Sequence, residues 1–184
     1  MVKNGGFEKN LYKGIPNGWG GKVILKDGKV APLQGNLDQS DFKEGKQSFK
    51  LELNNDKKSI IMETTLGEVQ PGKVFEFSFW CKIKGECRLT IRENHLTPEG
   101  KWRAKLFKNF ITVNGPTDWK KYTAKIMTVS GDGILGITIF IDKGPGEIWL
   151  DDFKIEESEV GSGDEISFRI NPNENTFVAL KYNP

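Results

Sequence analysis

The chain has 184 residues, of which 36% are hydrophobic and 28% charged, a composition that supports one folded domain with a full-sized core and excludes a disordered chain. Its 27 basic and 25 acidic residues leave a formal net charge of +2 and form no basic block, which argues against nucleic acid as a partner. No apolar run approaches the roughly 20 residues of a membrane-spanning helix, so we expect no membrane partner.

Apolar and polar residues alternate with a period of two along most of the chain, and no segment has the spacing of an amphipathic helix. Turns rich in glycine, proline, asparagine and aspartate separate the alternating segments. With 21 glycines, this pattern predicts an all-β chain folded as an antiparallel β-sandwich or jelly roll. The predicted strands, in chain order, are Gln47–Leu53, Ser59–Thr65, Val74–Ile83, Cys87–Glu93, Leu106–Val113, Lys120–Val129, Leu135–Asp142 and Ile148–Ile155.

The pattern changes after Ile155, where residues 156–163 have the polar composition of a linker. We therefore expect a single β-sandwich over residues 1–156, followed by a linker-like tail or added strands over residues 157–184. The tail contains two further strand candidates, Ile166–Ile170 and Thr176–Leu180.

The two cysteines, Cys81 and Cys87, lie on either side of a predicted hairpin turn at Lys84-Gly85-Glu86. An odd-length turn keeps the apolar residues of both strands in the core, and it places Cys81 opposite Leu89 and Ile83 opposite Cys87. The cysteines are then diagonal neighbours about 7 Å apart, which is too far for a relaxed disulfide. We expect two buried free thiols and, with one histidine in the chain, no zinc site.

Six short motifs succeed one another along residues 3–155, and each has a simple physical interpretation as a turn or a strand of a sandwich. They are Asn4-Gly5-Gly6-Phe7-Glu8, Pro16-Asn17-Gly18-Trp19, Gly45-Lys46-Gln47-Ser48-Phe49-Lys50-Leu51, Val69-Gln70-Pro71-Gly72-Lys73-Val74-Phe75-Glu76-Phe77-Ser78-Phe79-Trp80, Trp119-Lys120-Lys121-Tyr122 and Ile148-Trp149-Leu150-Asp151-Asp152-Phe153-Lys154-Ile155. In this order they resemble the β-sandwich carbohydrate-binding modules of families 4, 9, 16 and 22. The resemblance implies a galactose-binding-like jelly roll.

The same resemblance implies a function and a setting for the chain. The function would be non-catalytic binding of glucan, mannan or xylan chains, or of oligosaccharides, with a Kd in the micromolar-to-millimolar range. The module would be a monomer tethered to the catalytic domain of a secreted glycoside hydrolase, and hence extracellular. Two alternatives stay open: a spacer sandwich that binds no sugar, and a jelly-roll enzyme that cleaves glycans.

A sugar ring needs flat aromatic surfaces and a few well-placed polar groups. In the predicted hairpin Trp80 lies across from Thr90 on the face turned away from the core, with Arg88 and Arg92 beside it. Phe140 lies on the corresponding face of its own strand. We expect these residues to line a concave binding surface, although Trp80 under a covering loop and solvated arginines are also compatible with the pattern.

Two further tryptophans lie in loops. In the resembling families the tryptophan of the loop after the first strand often stacks on sugar, which would make Trp19 a platform; a plug at the end of the sandwich is the alternative. Trp102 lies in the polar stretch 98–103 and is expected near the cleft. Trp119 and Trp149 are interpreted as structural residues.

The resembling families commonly carry a structural calcium ion between the first strand, the Gly-Lys-x-Ser loop and the final Asp-Asp strand. By resemblance, Glu8 and Asp152 would supply carboxylates, and Gly6 and Lys46 would supply backbone carbonyls. Calcium takes six to eight oxygen ligands of mixed type, so this set is chemically reasonable. The alternative is that the two acids are ordinary surface residues at strand ends.

Catalytic residues are not expected. A glycosidase needs two carboxylates about 5 to 10 Å apart in its cleft, and Glu93 is the only acid near the predicted concave sheet. No nucleophile elbow or phosphate-binding loop is present. The single histidine, His95, is interpreted as a loop residue, with a position at the rim of the cleft as the alternative.

Overall fold

The computed structural model describes residues 2, 4–9 and 11–158, and it describes two further strands, at 165–169 and 177–181, by their backbone. Apart from one short 3-10 helix, Ala104–Leu106, the regular structure of the described residues is β. The strands are β1 (Leu11–Tyr12), β2 (Ile15–Pro16), β3 (Gly20–Leu25), β4 (Val30–Pro32), β5 (Asn36–Asp38), β6 (Ser48–Leu53), β7 (Lys57–Glu68), β8 (Val74–Leu96), β9 (Lys108–Asn114), β10 (Thr117–Met127), β11 (Ile134–Ser158), β12 (Glu165–Arg169) and β13 (Phe177–Lys181).

Nine antiparallel strands form one sheet that folds over into two layers, because β8 and β11 each run through both layers. In the front layer, residues 134–141 of β11 pair with β7 on one side, and residues 134–143 pair with residues 87–96 of β8 on the other. Strands β3 and β4 extend this layer beyond β7, and β9 extends it beyond β8. In the back layer, the later part of β11 pairs with β6 and with the first half of β8, and β5 and β10 lie at the edges. The predicted antiparallel β-sandwich is confirmed.

The predicted hairpin at Lys84-Gly85-Glu86 is wrong. Both halves of β8 pair with β11 and not with each other, so this segment carries the chain from the back layer to the front layer. The crossing requires close backbone contact: a Cβ on Gly85 would lie 2.5 Å from the carbonyl oxygen of Pro145. A Cβ on Gly146 would lie 2.3 Å from Sγ of Cys87, so glycine is needed at both positions.

The core lies between the two layers and follows the predicted alternation. Cys81 and Cys87 are both buried free cysteines, and burial raises the pKa of Cys87 to about 11 and that of Cys81 further. Phe77 of the back layer meets Phe110 of the front layer edge to face, with centroids 5.5 Å apart. Other fully buried side chains of the two layers are Phe79, Ile83, Leu89, Ile91, Leu135, Ile137, Ile139 and Ile141.

In the tail, β12 and β13 pair with each other antiparallel, with Ile166 opposite Leu180 in the backbone register. Residues 159–164, 170–176 and 182–184 lie outside the described residues. The described part of the chain contains no helix that is long and apolar enough to cross a membrane.

Candidate functional site

The outward surface of the front layer contains an open cleft of about 330 Å³. Its floor consists of side chains from β3, β7, β8 and β11 that point away from the core, and one wall comes from the segment between β8 and β9. The cleft is lined by Gly21, Lys22, Ile61, Glu63, Arg92, Trp102, Phe107, Thr138 and Phe140.

The strand register explains which side chains meet on the floor. Glu63 is paired with Thr138, and Thr138 with Arg92, so the three residues form a row across three strands. With strands about 4.8 Å apart, the acid and the arginine lie roughly 10 Å from each other at their Cα atoms. Ile61 and Phe140 form the adjacent row. A charged polar row therefore lies beside an apolar one.

A second depression of about 270 Å³ adjoins the first and shares Glu63 and Trp102 with it. Glycines lower its floor and leave space above the sheet. The remaining lining residues are Gly18, Gly20, Thr64, Thr65, Asn94, Leu96, Gly136 and Ile137. Together the two depressions form an open groove with room for a ligand longer than one sugar ring.

Arg92 is held in a fixed orientation in this groove. Its guanidinium lies over the rings of Phe107 and Phe140, 4.7 and 4.9 Å from their centroids. Its Nε donates to Oδ1 of Asn94 at 3.2 Å, and Nδ2 of Asn94 donates to Oγ1 of Thr138 at 2.7 Å. Burial lowers the pKa of Arg92, and the charge of Glu63 opposes this effect. Among the described residues no partner is found for the two Nη groups, which leaves them free to donate to a ligand.

Trp102 presents its indole ring to solvent beside Arg92. The residue is 52% exposed, the largest exposed fraction among the tryptophans, and its ring meets Phe107 edge to face with centroids 5.4 Å apart. An isolated antiparallel β-bridge to Leu96 holds the backbone of Trp102 against the end of β8. An exposed indole next to an oriented guanidinium can stack on the apolar face of a bound ligand's ring, while the arginine reaches polar groups at the edge of that ring.

Three of the predicted carbohydrate-binding residues, Arg92, Trp102 and Phe140, line the groove. Arg88 lies on the same strand as Arg92 but is held by Asp142 through two hydrogen bonds, of 2.8 and 2.7 Å. It is not among the residues that line either depression.

Two predicted platforms are not in the groove. Trp19 is 8% exposed and packs in the core against Phe7 and Phe153, so its ring cannot stack on a ligand. Trp80 lies in the back layer, paired with Asp151, and Nζ of Lys43 lies 5.3 Å from the centroid of its ring. The predicted neighbourhood of Trp80 with Arg88 and Arg92 followed from the hairpin, and it is wrong for the same reason.

Sequence reasoning missed Glu63, Lys22 and Phe107. The alternation of Ile60, Met62 and Thr64 as buried residues on β7 does point Glu63 outward, so that signal was available. No such signal pointed to Lys22 on β3. The segment Gly20–Leu25 has no clear alternation, and its pairing with β7 forms only when the chain folds.

The residues proposed as calcium ligands lie where the N-terminal segment meets the loop before β6 and the later part of β11. Oε1 of Glu8 accepts from the backbone N–H of Lys46 at 3.0 Å, and a Cβ on Gly45 would lie 2.1 Å from the same oxygen. Gly6 lies in the turn just before Glu8. Asp152 is 8% exposed and accepts from Nζ of Lys154 at 2.7 Å.

Asp151, which was not among the predicted ligands, lies under the same loop. Its Oδ2 accepts from the backbone N–H groups of Lys43 and Glu44, whereas its Oδ1 is buried and has no hydrogen-bond partner. Burial raises the pKa of Asp151 to about 6. Within the described residues no group of three or more His, Cys, Asp or Glu side chains could hold a metal ion. A site here therefore needs backbone carbonyls. The orphaned Oδ1 of Asp151 is an oxygen that a cation would satisfy, and the missing side chain of Gly45 lets the Glu8 carboxylate approach the loop closely.

Comparison with solved structures finds the same fold in carbohydrate-binding proteins. A family 4 module ("CBM4 structure and function") is 17% identical, with a TM-score of 0.59, and the match covers 86% of this chain and 100% of that one. The CBM22-1 xylan-binding domain of Paenibacillus barcinonensis Xyn10C is 16% identical, with a TM-score of 0.55 and coverage of 82% and 90%.

The enzymatically active domain of bacteriophage CBA120 tailspike protein 4 is 18% identical, with a TM-score of 0.63. The match covers 85% of this chain but 21% of that one, so the chain spans about a fifth of the length of the tailspike domain. No match was found among curated proteins. A family model described as "Carbohydrate binding domain" (CBM_4_9) matches residues 1–145. Because this match extends over most of the 184 residues, the chain belongs to the carbohydrate-binding domain family.

Proposed function

We propose that the chain is a non-catalytic module that binds glucan, mannan or xylan chains in the groove of the front layer. The observation that carries this proposal is the exposed indole of Trp102 beside the guanidinium of Arg92, which lies over the rings of Phe107 and Phe140. Both depressions are open to solvent at the surface, which suits a polymer that enters and leaves the groove.

The roles of the groove residues follow from their chemistry. The indole of Trp102 stacks on the C–H face of a pyranose, and the Nη groups of Arg92 donate to ring hydroxyls. Glu63, in the same row, accepts from other hydroxyls of the ring, while the buried Thr138 holds Asn94 in place. Because Asn94 and two aromatic rings already orient Arg92, little side-chain entropy is lost on binding.

The arrangement of acids supports binding without cleavage. Among the described residues that line the groove, Glu63 is the only acid. Glycosidases that use acid–base chemistry need a pair of carboxylates flanking the scissile bond. Glu93 is paired with Ile137 and faces His95, with an oxygen-to-Nε2 distance of 3.7 Å, so it is engaged away from the groove.

We place this module, as a proposal, outside the cell, as a monomer tethered to a glycoside hydrolase that it holds on its substrate. Two neighbours support such a setting: the xylan-binding domain of Xyn10C, and the tailspike, in which the matched region is a small part of a longer chain. Which polymer is bound depends on the angle between Trp102 and the groove floor.

We also propose a structural calcium ion at the junction of the N-terminal segment, the loop before β6 and β11. Glu8 and Asp152 would hold it through carboxylates and Gly6 and Lys46 through backbone carbonyls, with Oδ1 of Asp151 as a further candidate oxygen. The ion would pin the N-terminal segment to the last strand of the sandwich, where Phe153 N–H already donates to the carbonyl of Gly5 at 3.0 Å.

Affinity gel electrophoresis against soluble glucans, mannans and xylans tests the proposed binding. Retardation by at least one polymer is expected, with no release of reducing sugar from the same panel. Unretarded migration in all gels would favour the spacer alternative, and reducing-sugar release would show an enzyme.

Replacement of Arg92 by methionine is expected to weaken glycan binding by about tenfold, because it removes charge-assisted hydrogen bonds but keeps the stem that packs on the aromatic rings. Isothermal titration calorimetry with the polymer found in the panel measures the change. Arg88→Met is the matched control, since the Arg88 guanidinium is bound by Asp142 outside the groove. Equal losses in the two variants would show a general effect of surface charge instead.

A further inference from the structure

Behind the loop that carries Trp102 lies a buried cluster of charged side chains that the groove itself does not use. Asp132, with a side chain that is 0% exposed, forms an ion pair with Nη1 of Arg103, the residue next to Trp102. Its other oxygen, Oδ2, lies 2.6 Å from Nδ1 of His95 and accepts from the backbone N–H of Val129 at 2.7 Å. Because a carboxylate can only accept, the contact assigns the proton to Nδ1 of His95.

His95 is not a loop residue, as the sequence suggested, but a buried residue near the end of β8 that is 3% exposed. Burial lowers its pKa, but the hydrogen bonds and charges of Glu93 and Asp132 outweigh this effect and raise the pKa above its ordinary value of 6.5. The cluster thus combines two acidic residues, Glu93 and Asp132, with two basic residues, His95 and Arg103, so that each acid lies against a basic side chain.

The backbone of the same region joins two loops. The N–H of Arg103 donates to the carbonyl of His95 at 2.9 Å, which returns the chain to the end of β8 immediately after Trp102. The N–H of Gly133, in the turn before β11, donates to the carbonyl of Leu96 at 2.9 Å. The loop of Trp102 is therefore attached to the turn that holds Asp132.

Gly131 makes room for this attachment. Its φ is +88°, a conformation that L side chains rarely adopt, and a Cβ there would lie 3.3 Å from both Cζ and Nη1 of Arg103. The guanidinium of Arg103 consequently lies directly against the backbone of the turn, where any side chain would press on it.

We propose that Arg103, Asp132 and His95 are positioning residues that hold the indole of Trp102 over the groove. The inference rests on the proposed function, because it assumes that Trp102 is the platform for the glycan. Trp102 needs such support: it is half exposed, and within the described part of the chain its one aromatic ring contact is the edge-to-face contact with Phe107. The direction of the indole depends on the backbone of residues 101–103. The ion pair of Arg103 with Asp132 and the hydrogen bond from the Arg103 N–H to His95 hold this backbone on the C-terminal side of Trp102.

A double-mutant cycle tests this inference. Arg103→Met removes the charge but keeps the length of the side chain, and we expect about fivefold weaker binding of the polymer identified by affinity electrophoresis. In a Trp102→Ala background the same change should have less than a twofold effect, because the platform that Arg103 positions is gone. Arg103→Lys should restore part of the affinity, since an ammonium can still pair with Asp132. Lys101→Ala, an exposed position of the same loop, should leave affinity unchanged.

The possible outcomes separate this inference from the proposed function. If Trp102→Ala weakens binding but Arg103→Met does not, the positioning role is overturned and the proposed function stands. Equal losses from Arg103→Met in both backgrounds would show a general loosening of the fold and would also overturn it. If Trp102→Ala has no effect on binding, both proposals fail. Should Arg103→Met not fold, Asp132→Asn takes its place in the same cycle with the same criteria.

Discussion

Trp102→Ala is expected to weaken glycan binding by about 30-fold or more, the loss typical of a central aromatic residue in a binding surface. The indole is the exposed aromatic platform of the groove, and removing it takes away the surface on which a sugar ring would stack beside Arg92. The side chain is half exposed and is not part of the hydrophobic core, so stability should change little. Isothermal titration calorimetry gives the affinity, and a thermal melt checks the fold.

Trp80→Ala is the matched control for this prediction. It removes the same ring from the opposite layer, where Trp80 is half-buried and faces Lys43. Affinity should be unchanged in this variant. A loss in Trp80→Ala equal to that in Trp102→Ala, or no loss in either, would contradict the assignment of the groove to the front layer.

Calcium is expected to raise the melting temperature by about 5–10 °C relative to saturating chelator. An ion present at about 100 times its Kd stabilises the folded state by about 2.7 kcal/mol, and each kcal/mol shifts the melting temperature of a chain of this size by roughly 2–4 °C. Differential scanning calorimetry with calcium, with magnesium and with chelator measures the shift. Magnesium should have a smaller effect, because it prefers a smaller octahedral site.

The variant Glu8→Gln should lose most of this response, since it removes one proposed carboxylate ligand. Glu52→Gln, an exposed acid on β6, should keep it. An identical melt with and without chelator would rule against a structural ion and leave Glu8 as a capping acceptor for the Lys46 N–H.

The largest error in predicting the fold arose where local pattern has two solutions. Gly85 between two alternating strands fits a hairpin turn as well as a crossing from one layer to the other, because both keep Phe79 and Leu89 in the core. Pairing with β11 decides between the hairpin and the crossing, because the first half of β11 pairs with the second half of β8 and its second half pairs with the first half of β8. Pairing between residues so distant in sequence leaves no mark in the pattern of the turn.

In the groove, too, some features could be predicted from local pattern and others depend on long-range contacts. Alternation correctly turned Arg92 and Phe140 outward, since the side-chain direction on a strand is a local property. Alternation could not tell Trp19 from Trp102, because both lie in predicted loops outside the alternating segments. Trp19 packs against Phe7 and Phe153, which are far apart in the sequence, and this contact exists only in the folded chain.

By itself the sequence determined the all-β class, the antiparallel arrangement and the core face of most strands, because these depend on local periodicity and turn chemistry. Its six ordered motifs also carried the resemblance to the family whose model matches residues 1–145. The tertiary structure alone decided which outward faces meet, which tryptophan stays exposed and how Arg103 reaches Asp132. The reason is physical: these features depend on which strands become neighbours, and that is settled by burial of the whole core and not by any one segment.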